Sequence, residues 1–228
     1  MKALAMAISD WRPEDRPRER LLSEGAENLP NAHLLAVLLR TGVRGKSAVD
    51  LGNELLARFG SITRLLCAGR ELLEIKGLGE AKSAQFAAAI ELARRAMAEE
   101  LKERSALTSP GAVRDYLRVA LGHRPNEVFV CIWLDAQHRV IGIEQAYQGS
   151  LTQTSVYPRE IVKKALARNA AAVIFAHNHP SGVAQPSQAD ELLTANLKEA
   201  LALVDVKVLD HFIIAGSQAI SFAERGLL

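Results

Sequence analysis

The sequence predicts a multidomain chain: a small all-α domain over residues 1–104, then an α/β sandwich over residues 105–228. Two changes along the chain carry that reading. Before about residue 104, Leu, Ala and Glu recur at helical spacing, and after it runs of Val, Ile, Phe and Trp appear. Between the two, Glu99-Glu100-Leu101-Lys102-Glu103-Arg104-Ser105 and Thr108-Ser109-Pro110-Gly111 read as a helix tail running into a linker.

The first part reads as short helices. Asn31 is placed to cap a helix over His33–Arg40, which Thr41-Gly42 ends. Lys46–Arg58 is helical through Val49, Leu51, Leu55 and Leu56, and Phe59-Gly60 stops it. Ser61 caps Ile62–Cys67, and Glu71–Ile75 makes one more short helix before Gly77-Leu78-Gly79. A long helix follows from Glu80 to about Glu100, with Phe86, Ile90 and Ala93 on one stripe. The second part alternates. Pro110 opens a helix over Gly111–Leu121. Val128–Leu134 is a continuous apolar run, as suits a strand buried on both faces. Asp135–Arg139 is a turn and Val140–Tyr147 a second strand. Then come a helix at Pro158–Arg168, a strand at Ala171–Ala176, a helix at Ser187–Val204 and a strand at Val206–Ala215. Helices packed on a sheet are the natural product of that order.

Composition narrows the class. A chain of 228 residues with net charge +2, 49% hydrophobic and 24% charged, has the make-up of a soluble globular protein rather than a disordered one. Cys67 and Cys131 form no CxxC pair, which leaves out a disulfide framework and a cysteine zinc site and suits a reducing cytosol. Asp10, Arg12, Glu14, Asp15 and Arg16 occupy the place where a signal peptide needs an apolar core. No apolar run approaches the roughly 20 residues a membrane helix requires. A cytoplasmic protein with no membrane partner is the expectation.

The most informative stretch runs from Ala171 through His177-Asn178-His179-Pro180-Ser181-Gly182 to Ser187-Gln188-Ala189-Asp190. Side chains alternate along a strand, so His177 and His179 point to the same side as the strand leaves the sheet. Two imidazoles together are a ready pair of nitrogen ligands for a divalent metal. Asp190 falls in the first turn of the next helix, on the stripe Leu193, Leu197, Ala200, Leu201, Val204, and so faces inward. An inward carboxylate needs a partner to offset its desolvation, and a metal shared with the two histidines supplies one. Three protein ligands with an open position for water is the catalytic zinc arrangement. Ser187-x-x-Asp190 is also an ordinary helix N-cap pair, which is the simpler reading when it is taken alone, and the two readings are compatible.

These residues carry a resemblance. His177-x-His179-x7-Ser187-x2-Asp190 resembles the JAMM signature of the MPN-type zinc metalloproteases. Tyr157-Pro-Arg-Glu160, Ala176-His-Asn-His-Pro-Ser181-Gly and Pro186-Ser187 resemble the bacterial RadC-like branch, and the likeness extends through Arg18–Gly25, Leu34–Gly42 and Gly77-Leu-Gly79. The resemblance implies an MPN/JAMM, cytidine-deaminase-like fold. It implies one Zn2+ per chain on His177, His179 and Asp190, with water in the fourth place. Ser187 would hydrogen-bond the oxyanion of a tetrahedral intermediate. A glutamate just before the first strand would be the general base. Glu127 directly precedes Val128–Leu134 and matches that order. Glu144 alternates opposite Ile141 and Ile143 and is expected to face solvent, while Glu160 lies in a helix first turn where acids are favoured anyway. Asp210 and His211 point to opposite faces of their strand, so at most one can reach the site, as a satisfied core residue or a support behind the ligands.

Ile75-Lys76-Gly77-Leu78-Gly79-Glu80-Ala81-Lys82 lies between two predicted helices. Its glycines allow a tight turn with N–H groups exposed at a helix N-terminus, a phosphate cradle in principle. The pattern resembles the helix-hairpin-helix motif, which grips DNA backbone without reading sequence; Lys76, Gly77, Gly79 and Lys82 would make the contacts. Against this, Gly-x-Gly turns also serve packing alone, Glu80 sits beside the proposed phosphate, and residues 1–104 balance basic against acidic side chains.

Two functions follow. One is a zinc-dependent hydrolase of a peptide or isopeptide bond in an unidentified protein or peptide, with possible DNA association through the first domain. The other is a non-enzymatic or nuclease-like DNA-associated protein, linked to repair only through the RadC name. Pairing of chains through strand edges is open.

Overall fold

A computed structural model of the chain describes residues 8–66, 68–103, 110–122, 124–148 and 156–228. The expected linker at 104–109 and Cys67 lie outside them. The chain divides into two compact units, Met1–Leu92 and Ala93–Leu228.

The first unit is helical. Short 3-10 turns precede α1 (Pro17–Glu24), and α2 (Asn31–Leu39), α3 (Ala48–Phe59), α4 (Ile62–Leu66) and a 3-10 segment (Gly69–Glu74) follow, then the start of α5 (Glu80–Glu103). Its core is Leu35, Ala36 and Leu39 of α2 against Leu51, Leu55 and Phe59 of α3, with Leu65, Leu72, Leu78 and Phe86 added. Gly52 lets α2 and α3 approach closely, since a Cβ there would lie 2.8 Å from the Ala32 carbonyl oxygen. Ser47 starts α3 through a reciprocal capping box with Asp50, and Gly60, at φ 72°, ends it. Two expectations are corrected. Asn31 is the first helical residue, with Pro30 before it and no side-chain cap. The short helix expected at Glu71–Ile75 is the 3-10 segment. Helix α1 was not anticipated: Pro17 is its one buried residue, so it carries no apolar stripe to read.

The second unit is a three-layer α/β structure. It contains α6 (Pro110–Leu121), β1 (Val128–Leu134), β2 (Val140–Gln148), α7 (Pro158–Ala167), β3 (Ala172–Asn178), α8 (Gln188–Ala202), β4 (Lys207–Ala215) and β5 (Gln218–Ser221). The five strands are ordered β2-β1-β3-β4-β5. β1 is antiparallel to β2 and β3, β3 is parallel to β4, and β4 is antiparallel to β5. All seven residues of β1 and of β3 are buried. One face of the sheet buries Val130, Ile132, Ala172, Ile174, Phe212 and Ile214 with Val113 and Leu117 of α6 and Leu101 of α5. The other buries Phe129, Cys131, Trp133, Val173 and Phe175 with Ile161 and Ala165 of α7 and Leu197 and Leu201 of α8. β5, only four residues long after the Gly216 turn, escaped the sequence reading.

Glu144 does not face solvent. Ile141 and Gln145 are exposed on that strand, while Glu144 is only partly exposed and binds Lys164 and Arg168. Alternation holds, with Ile143 on the opposite face, but the face that takes Glu144 is covered by Lys164 of α7 and by Arg168 at its C-cap. Among the described residues no helix is long and apolar enough to cross a membrane.

Topology places the site. Among the described residues β3 and β4 are the parallel pair, joined through α8. Such a crossover brings the carboxyl end of one strand beside the amino end of the returning helix, where open α/β sheets bind their ligands. The His-x-His segment ends β3 and the Ser-x-x-Asp pair begins α8.

Candidate metal centre

His177 is 1% exposed and Asp190 9%, and the side chain of His179 is 18% exposed. The two imidazole Nε2 atoms are 3.0 Å apart. Asp190 lies against both, with Oδ1 3.1 Å from His177 Nε2 and Oδ2 3.4 Å from His179 Nε2. One ligand atom from each of the three residues falls within a 4.8 Å cluster.

Each side chain is held by its own local structure. His177 is clamped by strand pairing, opposite Phe129 on β1 and Ile213 on β4. His179 is fixed by the loop that follows: its Nδ1 lies 2.7 Å from the Val183 carbonyl oxygen, which can only accept, so Nδ1–H donates and Nε2 carries the lone pair. Gly182, at φ 80°, turns the chain so that this carbonyl returns to the ring. Asp190 is fixed by the helix start. Its Oδ2 accepts from Ser187 N at 2.8 Å and from Ser187 Oγ at 2.6 Å, while its own N–H donates to Ser187 Oγ at 3.2 Å. Capping thus orients the aspartate, and Oδ1 is left to the histidines.

The charges agree with this geometry. Burial pushes the Asp190 carboxyl up, but the His177 and His179 imidazoles beside it and the Ser187 hydroxyl outweigh it and hold the group far below the usual carboxylate range. Asp190 raises the pKa of His179 against the effect of burial, with smaller help from the Val183 carbonyl and the Glu127 charge. Two imidazole nitrogens at 3.0 Å beside a carboxylate make a site suited to a cation. The set of two nitrogens and one carboxylate oxygen fits a divalent ion such as zinc.

Glu127 directly precedes β1, and its charge acts on His179. Phe129 pairs with His177, so continuing the antiparallel register two residues back sets Glu127 opposite His179. Sequence reading missed the residue that seats it. Asn178, 2% exposed, accepts from Val128 N at 2.8 Å and donates to the carbonyls of Arg124 at 3.2 Å and Asn126 at 3.1 Å. The middle residue of His-x-His therefore pins the segment that carries Glu127. Of the pair Asp210-His211, only His211 reaches the ligands, with its Nε2 2.8 Å from His177 Nδ1. Asp210 turns the other way, to Ser221 Oγ at 2.6 Å and the backbone N–H of Ala223 and His211.

The glycine hairpin divides. Gly77, at φ 98°, packs where a Cβ would meet Val43, so it is a packing requirement of the first unit. Lys82 turns its ammonium inward to the Thr41 carbonyl at 2.6 Å, beyond the end of α2. Lys76 is exposed, and Gly79 has open space around it.

Comparison with known proteins agrees with the architecture. Residues 107–227 match the family described as RadC-like JAB domain, and residues 8–84 match the one described as UPF0758 N-terminal. The chain is similar to UPF0758 proteins of Nitrosomonas eutropha (61% identical), Dechloromonas aromatica (60%) and Thiobacillus denitrificans (60%), in each case over 98% of this chain and 100% of the relative. A helical region followed by a JAB-type α/β domain with a His-His-Asp cluster at the end of its central strand is the class that fold and site define. The chain belongs to the UPF0758 family, with a RadC-like JAB domain.

Proposed function

We propose that the protein is a zinc-dependent hydrolase that cleaves a peptide or isopeptide bond. The observation that carries this reading is the convergence of His177 Nε2, His179 Nε2 and the Asp190 carboxylate at the carboxyl end of β3, with the Glu127 charge near enough to act on His179. His177, His179 and Asp190 would hold the ion, one per chain. When bound there, zinc supplies Lewis-acid chemistry and lowers the pKa of water to about 7.

The remaining steps belong to this chain's side chains. Glu127 accepts a proton from the attacking water as its oxygen bonds to the substrate carbonyl carbon. The same carboxyl then gives that proton to the departing amine nitrogen as the C–N bond breaks. Ser187 releases Asp190 Oδ2 and turns its O–H toward the developing oxyanion, a donor worth about 3–4 kcal/mol at comparable sites. Asp190, already ionised, needs no proton loss to serve as ligand.

Zinc-loaded protein presented with a library of peptide and isopeptide substrates should cleave members of it, and Glu127→Gln should be at least about 100-fold slower. Full activity in Glu127→Gln, or no cleavage of any member, would contradict the reading. Association with nucleic-acid backbone is a second reading, favoured by one observation. Gly79 is exposed and faces open space without a positive φ, so nothing inside the chain demands a glycine there. Salt-sensitive DNA binding that is lost in Lys76→Glu and Gly79→Asp would support it. Gly77 and Lys82 are unsuitable probes, because changing either disturbs packing.

A further inference from the structure

Behind His177 lies a chain of hydrogen bonds that the reaction does not use. His211 is fully buried among Phe129, Phe175 and Phe222, with ring centroids at 5.5, 5.9 and 4.8 Å. Its Nε2 is 2.8 Å from His177 Nδ1, and its Nδ1 is 2.6 Å from Thr194 Oγ1. Thr194 Oγ1 is in turn 2.6 Å from the Asp190 carbonyl oxygen.

The proton positions follow by counting donors. A carbonyl oxygen only accepts, so the single Thr194 O–H must point at Asp190 O. Thr194 Oγ1 then has only lone pairs to offer His211, so the His211 proton sits on Nδ1. A neutral imidazole enclosed by three phenyl rings has one N–H, which makes His211 Nε2 an acceptor. His177 must therefore donate from Nδ1, and its Nε2 is bare. The same state is imposed on His179 by Val183, so both lone pairs face one point.

We propose that His211, seated by Thr194, is a positioning residue that holds His177 in the Nδ1–H tautomer and so presents its Nε2 lone pair to a divalent cation. The proposal rests on the metal-site reading above, but the tautomer is a property of the metal-free protein. Thr194 thereby acts on His177 through one intervening ring. In Thr194→Val, His211 Nδ1 loses its acceptor inside the core, and its proton moves to Nε2, the nitrogen facing His177. His177 Nδ1 must then accept, and its proton moves to the nitrogen that should meet the metal.

The test uses the full-length chain. Long-range 1H–15N spectra of metal-free protein at about pH 9, where histidines are neutral, report which nitrogen carries each proton. Wild type and Thr194→Ser should show His177 protonated on Nδ1, whereas Thr194→Val and His211→Phe should show it on Nε2. In competition titrations with cobalt(II) and zinc, the latter two should bind roughly 10–100-fold more weakly, and Thr194→Ser should bind like wild type. Wild-type His177 protonated on Nε2, or Thr194→Val with wild-type tautomer and affinity, would overturn the proposal. Failure of the wild type to bind either metal would overturn this proposal and the metal-site reading together. Cobalt binding with the expected tautomers but no amide cleavage would overturn the hydrolase reading alone.

Discussion

Asn178 offers the sharpest prediction about how the site is built. The substitution Asn178→Ala removes an acceptor from Val128 N–H and two donors from the Arg124 and Asn126 carbonyls. Val128 is 2% exposed, so its N–H is left buried without a partner, at a cost of about 1–3 kcal/mol. Arg124 and Asn126 are exposed, and their carbonyls regain water, adding about 0.5–1 kcal/mol between them. The total is about 2–4 kcal/mol, or a fall in Tm of roughly 10 °C for a unit of this size. Metal affinity should hardly change, because His177 is fixed from β4 and His179 by Val183. Turnover should fall, because the backbone that aims Glu127 is released. Thermal melting of the metal-free chain, zinc titration and peptide hydrolysis read the three effects separately. Asn178→Asp should be no better, since it sets a carboxylate against two carbonyl oxygens. An Asn178→Ala protein that melts with the wild type would refute the reasoning.

Ser47→Ala and Ser187→Ala each remove one capping box and should each cost about 1 kcal/mol in chemical denaturation, but only Ser187→Ala should slow hydrolysis. Equal turnover in the two variants would refute the oxyanion role. The pair His179–Asp190 should make metal-free stability depend on pH. The depressed Asp190 pKa contributes stability above about pH 4 that is lost as pH falls through its folded value. The raised His179 pKa contributes stability below about pH 6.5 that is lost as pH rises through its folded value. Asp190→Asn should therefore destabilise the metal-free protein most near pH 5–6, by about 1–3 kcal/mol, and least above about pH 8, in urea titrations at both values. Lys82→Met should lower the stability of the helical unit by about 1 kcal/mol, while Lys76→Met leaves it unchanged; hydrogen exchange across α2 distinguishes them.

Much of the fold was legible because it rests on periodicity. Val128–Leu134 is a strand with those bounds, buried throughout, since seven consecutive apolar residues have no other use in a chain of this composition. What escaped lacks a pattern: α1 buries only Pro17, and β5 is four residues long. Glu144 misled because alternation assigns a face but cannot reveal that Lys164 of α7 and Arg168 at its C-cap cover that face. The site shows the same division. His177, His179 and Asp190 were readable from local spacing alone, since a strand end and the next helix start carry all three. The Ser-x-x-Asp pair alone would have decided nothing, because Ser47 and Asp50 form the same capping box and, among the described residues, belong to no group of potential metal ligands. Thr194 and Asn178 passed unremarked because their roles depend on partners 17 and 50 residues away, brought close only by the sheet.

Metal content tests the central claim most directly. Elemental analysis of tag-free wild type, His179→Ala and Asp190→Ala, each shown to be folded, should find about one zinc per chain in the wild type and none in either variant. A wild-type protein that stays metal-free after incubation with zinc, or variants that retain the ion, would contradict the account.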